Sequence, residues 1–179
     1  MKPRFGSWGS AVYRCDDDLA LEKTLARVSD ESWFERHGAL VQQLVPPNGY
    51  DLRVVVAAGK VVGAVHRIAA AGQWRTNVNL GAVRRTVQDP PAAACAMAVA
   101  AARAAGASLC GVDLLPTPDG RWVVIELNGG VEYTSEYSDW VDVFSESALL
   151  LEGEVVDRRI ATDTVGAVPP RWTGDRSIF

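Results

Sequence analysis

The sequence predicts an α+β fold in which antiparallel sheets carry packed helices, and three observations lead there. Strand-like runs come in pairs joined by short turns, 51–57 with 61–67 and 109–115 with 121–127, which is the pattern of hairpins and not of parallel crossovers. Between the pairs lies an alanine-rich stretch. Eleven of the sixteen residues 92–107 are alanine, which suits a helix packed closely on a sheet. The composition is that of a folded globular chain, since 48% of the 179 residues are apolar and 22% are charged.

Residues 1–15 read as a glycine-rich turn, Gly6-Ser7-Trp8-Gly9-Ser10, between two short strands. Residues 16–29 read as a helix capped by Asp16, Asp17 or Asp18, with Leu19, Leu21, Leu25 and Val28 as its apolar stripe. Residues 40–45 read as a strand stopped by Pro46-Pro47-Asn48-Gly49. The first hairpin, 51–57 and 61–67, turns at Gly59-Lys60. Residues 69–83 are polar and glycine-flanked and read as a loop. Pro90-Pro91 opens the alanine-rich helix, which runs to about Ala105 with Gly106 closing it. The second hairpin turns over 116–120, a last helix covers 141–151, and 155–179 is a tail with no clear pattern.

Several function classes are disfavoured. The net charge of −4 argues against a general nucleic-acid binder. No apolar run reaches the roughly 18 residues of a membrane span, and the charged start has no apolar stretch behind it as a secretory signal requires. Cys15, Cys95 and Cys110 are far apart and odd in number, with neither metal spacing nor a disulfide framework, so a cytoplasmic setting is expected. His37 and His66 lack partners at catalytic spacing.

Three groups of residues carry chemistry. Lys2 with Gly6-Ser7-Trp8-Gly9 combines a mobile positive charge with backbone able to approach an anion closely; the plain alternative is a surface turn. Glu126 and Asn128 are two apart on one strand and share a face, and Asp113 lies on the hairpin partner. Three oxygen ligands on one face suit a hard cation, and carboxylates within apolar strands are costly to bury without one. The alternative is a solvated sheet edge. Arg67 stands with Trp74-Arg75-Thr76-Asn77, and Asp51 and Arg53 lie on the adjacent strand. Arginine forks suit phosphate and carboxylate, though surface ion pairs use the same residues. Trp8 and Trp74 sit in polar loops beside these groups. Arg84-Arg85 reads as a solvated basic pair able to attract an anionic acceptor.

These segments, in this order, resemble the ATP-grasp enzymes over about residues 1–150, with the RimK-type ligases as the nearest branch. Lys2-Pro3 with Phe5-Gly6-Ser7-Trp8-Gly9 resembles their lysine strand and glycine-rich loop. Residues 40–45 resemble the strand entering the adenine hinge, and Gly49-Tyr50-Asp51-Leu52-Arg53 the strand after it. Trp74-Arg75-Thr76-Asn77 resembles the Arg-x-Asn element. Gly111-Val112-Asp113-Leu114-Leu115 and Ile125-Glu126-Leu127-Asn128 resemble the metal-binding strands.

The resemblance implies an ATP-grasp fold and ATP with Mg²⁺, or Mn²⁺, as cofactors. Lys2 would contact the phosphates under the loop of Gly6, Ser7 and Gly9. Gln43, Leu44 and Val45 would hold the adenine, Asp51 would lie near the ribose, and Arg53 counts among the nucleotide contacts. Asp113, Glu126 and Asn128 would bind metal, and Arg67, Arg75 and Asn77 would be catalytic. The implied reaction joins a small-molecule or peptide carboxylate to an amine through an acylphosphate. Position 43 departs from the glutamate common at the hinge, and Ser10 from a loop often richer in glycine. On this reading residues 1–45 form part of the N-terminal ATP-grasp subdomain, 46–154 the C-terminal subdomain with the metal site, and 155–179 the tail. A lysine already at position 2 makes the chain look N-terminally truncated. The rival expectation is therefore a non-catalytic nucleotide-binding remnant or module that needs an upstream domain, a completing N-terminal chain or a homo-oligomeric partner.

Overall fold

In a computed structural model, which describes residues 1–139 and 141–165, two antiparallel sheets carry four helices. A small sheet pairs β1 (Lys2–Pro3) with β2 (Ala39–Leu40). Between them lie α1 (Asp18–Val28) and α2 (Ser32–His37). Of the three candidate caps for α1, Asp17 takes the role and accepts from the Ala20 amide at 2.7 Å.

The main sheet has the order β5-β4-β3-β6-β7, every neighbour antiparallel. Its strands are β3 (Tyr50–Ala57), β4 (Lys60–Ile68), β5 (Val83–Thr86), β6 (Leu109–Pro116) and β7 (Trp122–Asn128). The β3–β4 turn is centred on Ala58 and Gly59, one residue earlier than expected, with φ of 46° and 74°. Positive φ at both central residues gives the twist a two-residue hairpin needs.

Helix α3 (Ala92–Ala104) lies across one face of the main sheet. Ala94, Ala98 and Ala102 are buried at four-residue spacing. They cover Leu52, Val54, Val56, Val112 and Leu114, the main core. Gly106 follows the helix with φ 64°, the left-handed stop expected of it. The opposite face is divided. At one end Val55 and Val65 pack under Tyr137 and Val143, from a 3₁₀ turn (Ser135–Tyr137) and helix α4 (Val143–Val165). Among the described residues, no helix covers the other end, which borders a cavity.

The structure corrects the sequence reading at four further places. Only Ala39–Leu40 of the expected 40–45 strand is strand, because only those residues face Lys2–Pro3; a β-prone run without a partner has no ladder to join. The second short strand of residues 1–15 is reduced to reciprocal 2.8 Å bonds between Met1 and Tyr13. The 69–83 loop holds a 3₁₀ turn at Val78–Leu80 and leads into β5, a four-residue edge strand whose arginines hid it. Helix α4 continues through residues 155–165 of the expected tail, and 166–179 lie outside the described residues.

Candidate functional site

Strand alternation builds the open end of the sheet. Asp51 and Arg53 on β3, Arg67 on β4, Arg84 on β5, Asp113 on β6 and Glu126 on β7 occupy the face away from α3. Register places Asp51 opposite Arg67, Arg67 opposite Arg84, Arg53 opposite Asp113, and Asp113 opposite Glu126. Asn128, two residues beyond Glu126, faces Gly111 across the ladder.

Four of these side chains form one largely shielded ion network. Arg67 donates twice to Asp51, from Nε at 2.8 Å and Nη2 at 2.6 Å. Its Nη2 also lies 2.9 Å from Asp113 Oδ2. Arg53 grips the same Asp113, Nε on Oδ1 and Nη2 on Oδ2, the latter at 3.2 Å. The Thr76 hydroxyl donates to Asp51. Asp51 is 1% exposed and Asp113 3%, so neither carboxylate depends on water for its partners. Asn128, oriented to satisfy both ends of its amide, donates to Glu126 Oε1 at 3.3 Å and accepts from Arg53 Nη2 at 3.2 Å. Arg84 pairs with the half-exposed Glu132.

The glycine-rich loop meets the sheet through the 74–77 segment. Arg75 Nη1 donates to the Gly9 carbonyl at 3.1 Å. A Cβ on Gly9 would lie 2.4 Å from Asn77 Oδ1, and Gly9 has φ 69°, so both contact and backbone demand glycine there. Trp8 is exposed and held at φ 64°, an uncommon conformation for a bulky residue. Arg75 Nε is buried without a hydrogen-bond partner among the described residues.

All the candidates meet in one place. A cavity of about 1060 Å³ is lined by Lys2, Gly6, Ser7 and Gly9, by Gln43, Leu44 and Val45, and by Asp51, Arg53, Arg67, Arg75, Asn77, Asp113, Glu126 and Asn128. The unstranded 41–49 segment thus still borders it. Sequence reasoning gave Arg84 a weak reading and missed its partner Glu132, and both line the cavity. The available signal was alternation, which sets Arg84 and Arg85 on opposite faces.

The family model described as a RimK-like ATP-grasp domain matches residues 1–143. The chain belongs to the RimK-like ATP-grasp family. Its α+β architecture is thereby an ATP-grasp fold. A probable alpha-L-glutamate ligase of Thioalkalivibrio sulfidiphilus is 38% identical over 130 residues, 71% of this chain and 42% of the relative. Human N-acetylaspartylglutamate synthase A is 31% identical over 186 residues, spanning 100% of this chain and 41% of the relative. Among solved structures, D-alanine–D-alanine ligase from Bacillus anthracis complexed with ATP is similar with a TM-score of 0.48 at 15% identity, over 84% of this chain and 50% of that one. The chain spans less than half the length of the two curated relatives named.

Within this RimK-like domain the donor chemistry fits a hard divalent cation. Asp113, Glu126 and Asn128 offer oxygens from facing strands, and a cationic nitrogen of Arg53 already touches two of the three. Burial pushes the Asp51 carboxyl up, opposed by its hydrogen bonds from Arg67 and Thr76. Arg67 is held more firmly protonated than an ordinary arginine: burial works against its charge, but Asp51 and Asp113 outweigh it. No helix among the described residues is long and apolar enough to cross a membrane.

Proposed function

We propose that this domain binds ATP with Mg²⁺ and serves ATP-dependent carboxylate–amine ligation. The observation that carries the reading is convergence. Oxygen donors on β6 and β7, arginines on β3, β4 and the 74–77 segment, and Lys2 with the glycine-rich loop all line one cavity. Asp113, Glu126 and Asn128 would hold the metal ion, which when bound supplies neutralisation of polyphosphate charge. Mn²⁺ would fit the same oxygens.

The chain's own groups supply positioning and electrostatics. Lys2 and the backbone of Gly6, Ser7 and Gly9 cover the phosphates. Residues 43–45 border the adenine, and Asp51 lies at the ribose. Arg67 and Arg75, with Asn77, face charge as it develops on the transferring phosphoryl group. The orphaned Arg75 Nε offers a buried donor for that purpose. In the proposed reaction a substrate carboxylate attacks the γ-phosphate, giving an acylphosphate and ADP. An amine then displaces phosphate, and the amide forms. The relatives named alpha-L-glutamate ligase make glutamate the first substrate to try. A cytoplasmic setting suits the free thiols of Cys15, Cys95 and Cys110.

Calorimetry with Mg²⁺ and a non-hydrolysable ATP analogue tests binding, and no heat at millimolar analogue would overturn the reading. Asp113→Ala and Glu126→Ala should each abolish Mg²⁺-dependent ADP release. An unchanged rate in both removes the metal site. ADP release from pooled amino acids, measured with and without a supplied N-terminal segment, separates a ligase from a nucleotide-binding module.

A further inference from the structure

We propose that Arg53 is a built-in counter-cation: it occupies the cation-binding oxygens of Asp113 and Asn128 until a polyphosphate draws its guanidinium away, so nucleotide and divalent cation bind cooperatively. The proposal rests on the reading of this site as one for a metal–nucleotide pair, and adds how its two ligands are coupled.

The geometry is that of an occupied site. Arg53 takes both Asp113 oxygens, and the same Nη2 lies 3.2 Å from Asp113 Oδ2 and 3.2 Å from the Asn128 carboxamide oxygen. Two of the three proposed metal ligands are therefore already turned toward a positive charge. The pair is shielded, with side-chain exposures of 13% for Arg53 and 5% for Asp113. Arg53 reaches Asp113 by lying across Gly111. A Cβ there would sit 2.5 Å from Arg53 Nη1 and 3.1 Å from its Cδ. Gly111 is not among the residues with positive φ, so its backbone does not require glycine. The missing side chain serves the arginine.

Charge accounting then sets the coupling. An arginine cannot shed its proton, so a dication arriving alone must share Asp113 with a fixed positive charge or displace it. Displacement strips a largely shielded guanidinium of its carboxylate partner, which is costly. Arg67 does not share this problem, because it keeps two bonds to Asp51. Asp113 is the ion-pair partner of Arg53 among the described residues. A polyphosphate offers Arg53 replacement oxygens of matching fork geometry. Each ligand then raises the other's affinity by the same factor.

The test titrates Mn²⁺ into the full chain, reading free Mn²⁺ by electron paramagnetic resonance with and without a non-hydrolysable ATP analogue. Beyond the Mn²⁺ that the analogue binds by itself in a protein-free control, wild type should bind Mn²⁺ at least about tenfold more tightly with the analogue present. Arg53→Met should bind Mn²⁺ alone about tenfold more tightly than wild type, bind the analogue more weakly, and lose most of the coupling. Gly111→Ala keeps the arginine but pushes it off Asp113, and should move Mn²⁺ affinity the same way. This second variant keeps the test open if Arg53→Met does not fold. A merely structural Arg53 would lower Mn²⁺ affinity when removed. Analogue binding by wild type, with Mn²⁺ affinity unchanged or weaker in both variants, overturns the counter-cation and leaves the functional reading standing. Failure of wild type to bind the analogue at all overturns both.

Discussion

The two faces of the main sheet are made by the same strands, and they are held by opposite means. Toward α3, Leu52, Val54, Val56, Val112 and Leu114 are each 0% exposed, and every such side chain stabilises the fold by about 1.5–3 kcal/mol on burial. One residue along the chain, on the other face, Asp51 and Asp113 are buried and paired with the partly buried Arg53 and Arg67. Charges in that position cost desolvation energy, which pairing at best offsets. The difference teaches where selection for stability ends. The apolar face explains why the domain folds. The charged face is stable only as a closed set and is best understood by what it prepares to bind.

Three measurements press on that contrast. The largest effect should come from Arg67→Met, which removes two bonds from Asp51 and one contact from Asp113. Urea unfolding should show a loss of about 3–5 kcal/mol, because buried carboxylates are left short of partners. A loss below about 1 kcal/mol would break the claim that the network is closed. Next comes Leu114→Ala on the apolar face, expected to cost about 2–5 kcal/mol through lost burial and a cavity. Its folded fraction should keep wild-type affinity for the ATP analogue, and a parallel fall in affinity would mean the faces are not separable. The smallest effect is pH-dependent. Burial lowers the His66 imidazole from its ordinary 6.5, so below that pH the unfolded chain takes up a proton that the folded one resists. Stability should therefore fall as pH drops through that value and level off once the folded imidazole is protonated too. Melting curves of wild type and His66→Gln should diverge in that window and agree near pH 8.

Period-two alternation and turn chemistry were enough to read both hairpins, the alanine helix and the shared face of Asp113, Glu126 and Asn128, because those depend on neighbours in sequence. What escaped depends on neighbours in space. The 41–45 run has strand-like residues but no partner beyond Leu40. Strand β5 is short and carries two arginines, so it resembles a loop until β4 supplies its ladder. Helix α2 has six residues and no side-chain cap, too little for local signals to register. At the site, the candidate residues were legible as types. That Arg53 and Arg67 both close on Asp113 was not, since Asp113 lies 60 residues from Arg53 and the pairing is decided by sheet order.

The contact of Gly9 with Asn77 also has a bearing on time. It joins the first turn of the chain to a segment beyond the first hairpin, so it cannot form until both are in place. Such a long closure carries a loop-entropy cost that a local turn does not. Among the described residues it is held by a side-chain bond from Arg75 to the Gly9 carbonyl, and loop contacts of this kind belong to the least stable parts of a fold. The seating of residues 6–9 thus reports on the assembled domain, because the bond that holds the loop comes from a segment beyond the first hairpin.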